Sequence, residues 1–141
     1  MIKVAFASTD RSRVNQHFGA AEGFVIYEVT PEKATLVGVG EFPEEAMDGN
    51  EDKLGAKIDF LDGCAAVYVM AIGASAIKKL MAKGVQPIRV DEVDAVDELL
   101  SEISRAMSDG GVAWVDRAIA AQTKAKAEDR FASMEAEGWE G

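Results

Sequence analysis

The apolar run Ala65–Ile72, AAVYVMAI, constrains the fold of this chain more than any other segment. Glycines stand close to both of its ends, and no charged residue interrupts it. Such a continuous run is typical of a strand that is covered on both faces, whereas a half-exposed strand alternates apolar and polar residues. The run therefore predicts a central strand of a sheet with helices on each side.

Three strands are predicted before this run. The apolar segment Ile2–Ala7 is the first, Phe24–Val29 is the second, and Ala34–Phe42, with its β-branched residues, is the third. The proline-containing turn at 30–33 is short enough to join the second and third strands as an antiparallel hairpin. Residues 42–50, rich in Pro, Glu, Asp and Gly, are expected to form a surface loop.

Three helices are predicted after the hairpin. The first is expected to begin with Asn50 as its cap and to stop at Gly63. The second follows Gly73 and stops at Gly84, and the third has Asp94 as its cap. Their expected buried stripes are Leu54, Ile58 and Leu61 in the first, Ile77, Leu80 and Met81 in the second, and Val96, Leu99, Leu100, Ile103 and Met107 in the third.

The order of elements defines the fold class. A hairpin is followed by two strand–helix units, the second built on the strand Gln86–Val90, which gives a three-layer α/β/α domain with a mixed five-stranded sheet. Residues 1–111 are expected to form this domain. Residues 112–141 are expected to form a helical extension that is partly flexible. The extension is interpreted either as a partner-binding tail or as a solvated helix with a frayed end.

The charge of the chain excludes several classes of partner. Its 25 acidic residues outnumber its 15 basic residues, which gives a net charge of −10 and a pI near 4.5. An acidic surface repels phosphate backbones and anionic lipid heads, so neither nucleic acid nor a membrane is an expected partner. A single cysteine, Cys64, and an N-terminus without a leader pattern indicate a cytoplasmic protein.

The only histidine of the chain, His17, lies in a polar loop after the first strand. Arg11 and Arg13 bring positive charge to the same loop. Asn15 can hydrogen-bond a polar guest, and Gly19 is expected to allow a tight turn or the close approach of a ligand. An imidazole in this setting is a candidate metal ligand. The alternative is a hydrogen-bonded loop residue without special chemistry.

Topology is expected to bring a second loop beside the histidine. If the first and fourth strands are neighbours, the loops 8–19 and 71–75 leave the same end of the sheet, where ligands of open α/β sheets bind. The second loop opens a helix, so the N–H groups of Gly73, Ala74 and Ser75 favour an anion. The first loop holds few large apolar side chains and is expected to be mobile until a ligand orders it.

Several motifs, taken in their order, resemble those of a known family. They are STDR with VNQHFG, EDKL with KI, GCAAVY and GVQPI, and the resemblance covers residues 2–115. On these motifs the chain resembles the NifX/NafY family of nitrogenase accessory proteins. The resemblance implies a strand arrangement similar to that of ribonuclease H, without nuclease activity. It also implies that the chain transiently binds an iron–sulfur precursor of the iron–molybdenum cofactor and carries it between nitrogenase cofactor assembly proteins, a donor and a scaffold.

The resemblance also assigns roles to particular residues. His17 matches the family histidine of the HFG motif and becomes the expected cluster ligand. Cys64 lies at the opposite end of the sheet and is either a further ligand or a buried structural thiol. Arg11 and Arg13 either screen the charge of the cluster or are solvated. Met70 is expected in the core, with a role as a ligand near the pocket end of the fourth strand as the alternative. A permanent cluster site would need about four cysteine ligands, so a single cysteine favours a carrier.

Two alternatives to a carrier follow from the same residues. A metal-dependent nuclease needs several convergent carboxylates, but the first strand and the run at 65–72 contain none, and no GxSxG motif is present. An enzyme is therefore not expected. The second alternative is a non-catalytic regulatory or adaptor module of the same fold that binds another small anion or a protein partner.

Overall fold

The computed structural model describes residues 1–42 and 51–124. In chain order the elements are β1 (Ile2–Ala7), β2 (Gly23–Val29), β3 (Ala34–Glu41), α1 (Glu51–Phe60), β4 (Ala66–Val69), α2 (Ala74–Ala82), β5 (Gln86–Arg89), α3 (Val96–Asp109) and α4 (residues 113–124). Every predicted strand and helix is found. The predicted surface loop, beyond its first residue, the cap at position 50 and the tail after residue 124 lie outside the described residues.

The five strands form one mixed sheet in the order β3-β2-β1-β4-β5. β1, β2 and β3 pair antiparallel, and the Thr30 N–H donates to the Lys33 carbonyl at 2.8 Å to close the β2–β3 hairpin. β4 pairs in parallel with β1 and with β5. The predicted mixed α/β sheet is confirmed. However, the middle strand of the sheet is β1, and β4 lies next to it. The hairpin places β2 and β3 on one side of β1, and β4 and β5 lie on the other side.

Two apolar cores lie on the two faces of the sheet. Alternate residues of a strand point to opposite faces, so Val4 and Phe6 of β1 join a core with α3 and α4, while Ala5 and Ala7 join a core with α1 and α2. In the first core the ring of Phe6 stacks on that of Tyr68 with 5.2 Å between centroids. The helices therefore cover both faces, as the continuous apolar run predicts.

The buried stripe of α2 differs from the predicted one. Ala76 and Leu80 are buried, whereas Ile77 and Met81 are 37% and 52% exposed. Successive residues of a helix point about 100° apart, so a stripe through Ala76 and Leu80 leaves the residue after each of them at the margin. The expectation that Ile77 and Met81 are buried is wrong.

The start of α3 also differs from the prediction. Its N-cap is Ala95 and not Asp94, and no side chain caps it. Asp94 instead accepts the N–H of Val14 with its main-chain carbonyl and the guanidinium of Arg13 with its carboxylate. The residues that α3 buries are Val96, Leu99, Leu100, Ile103 and Ala106, with the predicted Met107 half-buried.

The helix α4 packs on the same core as α3. Val115 is fully buried, and Trp114, Ala118 and Ile119 contact the core with partly buried side chains. Residues 113–124 are helical, and the helical extension proposed over 112–141 stays a prediction. The boundary proposed at residue 111 stays a prediction.

Candidate functional site

The carboxyl end of the sheet, where β1 and β4 end, brings two loops together. After β1 the chain turns back and runs beside the residues that follow β4. The Met70 N–H donates to the Gln16 carbonyl at 2.9 Å, and the Phe18 N–H donates to the Ala71 carbonyl at 2.8 Å. His17 forms an isolated parallel bridge with Ala71. The predicted adjacency of these loops is confirmed.

Asp10 closes a turn at the start of the His17 loop. Its carboxylate accepts the N–H groups of Ser12 at 2.8 Å and Arg13 at 3.0 Å. These bonds favour the ionised carboxylate, so they hold the pKa of Asp10 below its ordinary value. Arg11, inside the turn, has a φ of 65°, in the left-handed region that few residues other than glycine adopt. The turn therefore imposes an unfavourable backbone conformation on Arg11.

Val14 and Phe18 anchor the same loop in the two different cores. Their side chains are 1% and 0% exposed. The Val14 N–H also donates to the Asp94 carbonyl at 2.8 Å, and the Ser12 carbonyl accepts the N–H of Val96 at 2.9 Å. The premise that little burial holds this loop is wrong, because each of its large apolar side chains fills a core position.

His17 lies at the carboxyl end together with Gly73, Ala74 and Ser75, and all four residues are exposed. Gly73 is the N-cap of α2, no side chain caps the helix, and its first turn carries no acidic residue. The first N–H groups of a helix have no partner inside the helix and carry a partial positive charge. This end of the sheet therefore combines an accessible imidazole with donors suited to an anion.

Arg13 and Asn15 have partners within the protein. The Arg13 guanidinium lies 3.0 Å from the Asp94 carboxylate. The Asn15 amide donates to the Thr9 hydroxyl at 3.1 Å and accepts the Thr9 N–H at 3.2 Å. Both side chains thus hold the shape of the loop, and their role toward a ligand stays a prediction.

Arg11 and Gly19 differ from the rest of the predicted site. Arg11 lines a groove of about 560 Å³ that also contains Glu22 and Glu41 and whose lining does not include His17. Gly19 has no positive φ, and a Cβ added there would meet no described atom within 4 Å. These observations give no sign of the expected tight turn at Gly19, and the close approach of a ligand there stays a prediction.

Lys57, which the sequence analysis did not single out, secures the segment after the histidine. It lies in α1, is 6% exposed, and donates from its ammonium group to the Gly19 carbonyl at 2.8 Å and toward the Phe18 carbonyl at 3.5 Å. The signal in the sequence is its spacing, since Lys57 falls on the same helical stripe as Leu54 and Ile58. A charged residue within an apolar stripe usually has a fixed partner.

Cys64 lies at the opposite, amino end of the sheet. Its side chain is 4% exposed, and burial raises the pKa of the thiol to about 11. It lines a groove of about 710 Å³ together with Lys3, Lys83 and Arg117. Because the thiolate is the form that binds metals, this environment favours the structural-thiol interpretation.

Met70, by contrast, is 44% exposed at the carboxyl end, and the expectation that it lies in the core is wrong. Strand β4 ends one residue earlier, at Val69. The chain therefore leaves the covered part of the sheet before Met70, which places this thioether among the exposed residues near His17.

The described residues contain no ready-made metal centre. Across 1–42 and 51–124, no three side chains of His, Cys, Asp or Glu form a group that could hold a metal ion. In the same part of the chain no helix is both long and apolar enough to cross a membrane.

The fold and this site define a class of protein: a small α/β domain whose mixed sheet presents one imidazole at the same end as a helix N-terminus. The chain belongs to the dinitrogenase iron-molybdenum cofactor family, whose sequence profile matches residues 1–106. The resemblance stated from the sequence motifs is thereby confirmed.

Known proteins agree with this membership. The chain is similar to protein NifX of Azotobacter vinelandii, with 51% identity over 140 residues that cover 99% of the chain and 88% of the relative. It is also similar to the FeMo cofactor biosynthesis protein NifB of Frankia alni, with 36% identity over 82% of the chain but only 23% of that relative. The crystal structure of PH0822 shares the fold with a TM-score of 0.54 and 24% identity, over 79% of the chain and 93% of that structure.

Proposed function

We propose that the chain transiently binds an iron–sulfur precursor of the nitrogenase iron–molybdenum cofactor and carries it between assembly proteins without catalysing a reaction. Family membership connects the chain to the biosynthesis of this cofactor. The observation that carries the finer proposal is the exposed His17, fixed between buried anchors and next to the first turn of α2.

The chemistry of a cluster suits this arrangement. An iron–sulfur cluster is a bulky anion whose iron atoms accept imidazole nitrogen as a ligand. His17 supplies one such bond, while the N–H groups of Ala74 and Ser75 attract the negative charge. The exposed Met70 offers an apolar, polarisable neighbour.

A small number of bonds supports a carrier rather than a permanent holder. A resident cluster is held by about four protein ligands, which the described residues do not gather at this end. With one imidazole and electrostatic attraction, the cluster can be released to a scaffold that offers more ligands. The proposed partners are a donor and a scaffold of the cofactor assembly pathway, and the proposed compartment is the cytoplasm.

The test is anaerobic titration of the protein with the isolated cluster precursor, followed by absorption and electron paramagnetic resonance. The wild-type protein is expected to become brown and to show nitrogen coupling from one imidazole. His17→Ala should lower the affinity more than about tenfold, because a metal–ligand bond is lost. Its free energy of unfolding should change by less than about 0.5 kcal/mol, as is usual for an exposed residue.

The matched control is Ser101→Ala, an exposed substitution on α3. It is expected to bind the cluster as the wild-type protein does. Equal binding by His17→Ala and Ser101→Ala would remove His17 from the site. A wild-type protein that binds no cluster at all would favour the adaptor alternative.

A further inference from the structure

The buried ammonium of Lys57 contacts the backbone directly after His17. Its Nζ lies 2.8 Å from the Gly19 oxygen and 3.5 Å from the Phe18 oxygen, and the residue is 6% exposed. Gly19 and Phe18 complete the HFG motif that begins with the histidine. The contact joins α1 to a loop 38 residues earlier in the chain.

A lysine at this position needs a physical reason. Moving an ammonium group out of water is costly, and a leucine or methionine on the same stripe would fill a similar volume without that cost. The cost is offset when carbonyl oxygens accept charge-assisted hydrogen bonds. The contacts that help to offset the cost of burying Lys57 also hold the Phe18 and Gly19 carbonyl groups in a defined position.

The same segment is held from its other side by the sheet. The Phe18 N–H donates to the Ala71 carbonyl at 2.8 Å, and the Phe18 ring is fully buried against Phe24 with 5.6 Å between centroids. The peptide that follows His17 is thus fixed through its N–H by Ala71, two residues after the end of β4, and through the carbonyl groups by Lys57 of α1. Of residues 16–18, only His17 is exposed.

We propose that Lys57 is a positioning residue for His17: its contacts to the Phe18 and Gly19 carbonyls fix the backbone so that the imidazole meets the cluster in one orientation. This inference rests on the proposed cluster binding. Groups that orient a metal ligand typically change metal affinity by about 10- to 100-fold when they are removed. Lys57 is expected to act in this range, although it touches the histidine's neighbours and not the cluster.

The experiment compares Lys57→Met and Lys57→Arg in the full chain, loaded anaerobically with the isolated cluster precursor. Lys57→Met should lower affinity about 10- to 100-fold and broaden or change the nitrogen coupling of the imidazole. Lys57→Arg keeps a charged donor and should restore the affinity to within about threefold of the wild type. Lys83→Met, which removes an exposed lysine paired with Asp59, is the control and should bind normally.

If Lys57→Met does not fold, replacing Ala20 by lactic acid carries the test. The resulting ester weakens the Gly19 carbonyl as an acceptor while Lys57 stays in place, and affinity should fall about threefold with the same change in nitrogen coupling. Wild-type affinity and an unchanged coupling in a folded Lys57→Met or in the ester would overturn the positioning role. Failure of the wild-type protein to bind the cluster would instead refute the proposed function itself.

Discussion

The two ends of the sheet differ in how they present the two side chains that the sequence offers as candidate metal ligands, His17 and Cys64. At the carboxyl end His17 is exposed, and neither of the grooves of about 710 and 560 Å³ is lined by it. At the amino end the larger groove is lined by Cys64, whose thiol is 4% exposed and has a pKa raised to about 11. The larger of these two grooves is thus lined by the less accessible of the two candidate ligands. In this fold, the accessibility of the two side chains and the size of the neighbouring groove therefore point to different ends of the sheet.

The largest expected effect comes from removing the anchor beside His17. Phe18→Ala should lower the free energy of unfolding by about 3 to 5 kcal/mol, because a fully buried ring leaves a cavity. Urea denaturation followed by circular dichroism measures the loss. The control is Phe42→Ala, which removes a half-buried ring and should cost less. A loss below about 1 kcal/mol for Phe18→Ala would show that the loop at the carboxyl end is held no more firmly than an ordinary surface loop.

A smaller effect is expected at the amino end at alkaline pH. Burial raises the pKa of the Cys64 thiol from 9.0 to about 11, so the folded protein keeps this proton when the unfolded chain has lost it. Stability is therefore complete below about pH 9 and falls as the pH rises toward about 11. At 1.36 kcal/mol per pKa unit, the loss approaches roughly 2 to 3 kcal/mol.

Urea denaturation across this pH range tests the assignment. Cys64→Ala should remove this part of the alkaline loss, whereas His17→Ala should retain it. Tyr68, with its pKa raised to about 12 by burial, adds a further loss at the upper end in all variants. Parallel profiles for the wild-type protein and Cys64→Ala would show that the thiol is more accessible than its burial indicates.

The smallest expected effect concerns the strained backbone of Arg11 in the turn at the carboxyl end. Arg11→Gly removes the strain of a φ of 65° but increases the freedom of the unfolded chain, so a net gain of about 0.5 kcal/mol is expected. Ser12→Gly, at a position without a positive φ, should instead lose about 0.5 kcal/mol. Thermal unfolding of both variants gives the comparison, and equal losses in both would contradict a strained turn at Arg11.

Local sequence signals predict the elements of this fold well. The apolar runs of β1 and β4 and the glycines after the helices act over a few residues, so they are visible without the tertiary structure. The adjacency of the two loops at the carboxyl end follows from chain order and the parallel pairing of β1 with β4. The order of the strands along the chain therefore suffices to predict that the His17 loop lies beside the loop that leads into α2.

Contacts between distant residues account for what the sequence did not show. Asp94 has the side chain of a helix cap, but Arg13 competes for its carboxylate from 81 residues away. Lys57 is bonded to a carbonyl 38 residues earlier, and no local pattern identifies that partner. Val14 and Phe18 are two isolated apolar residues in a polar loop, and only the assembled cores show that both are buried.

The bonds from the His17 loop to Asp94 and to the start of α3 can form only late in the synthesis of the chain. Ser12 and Val14 obtain their partners from Val96 and Asp94, although the histidine itself is made near the beginning of the chain. A chain is synthesised at roughly 5 to 20 residues per second, so for several seconds the nascent chain carries His17 while the residues that bond to its loop have not yet been made. The support of the His17 loop is therefore completed late, and a chain interrupted before residue 94 carries the histidine without the bonds to Asp94 and Val96 that hold its loop.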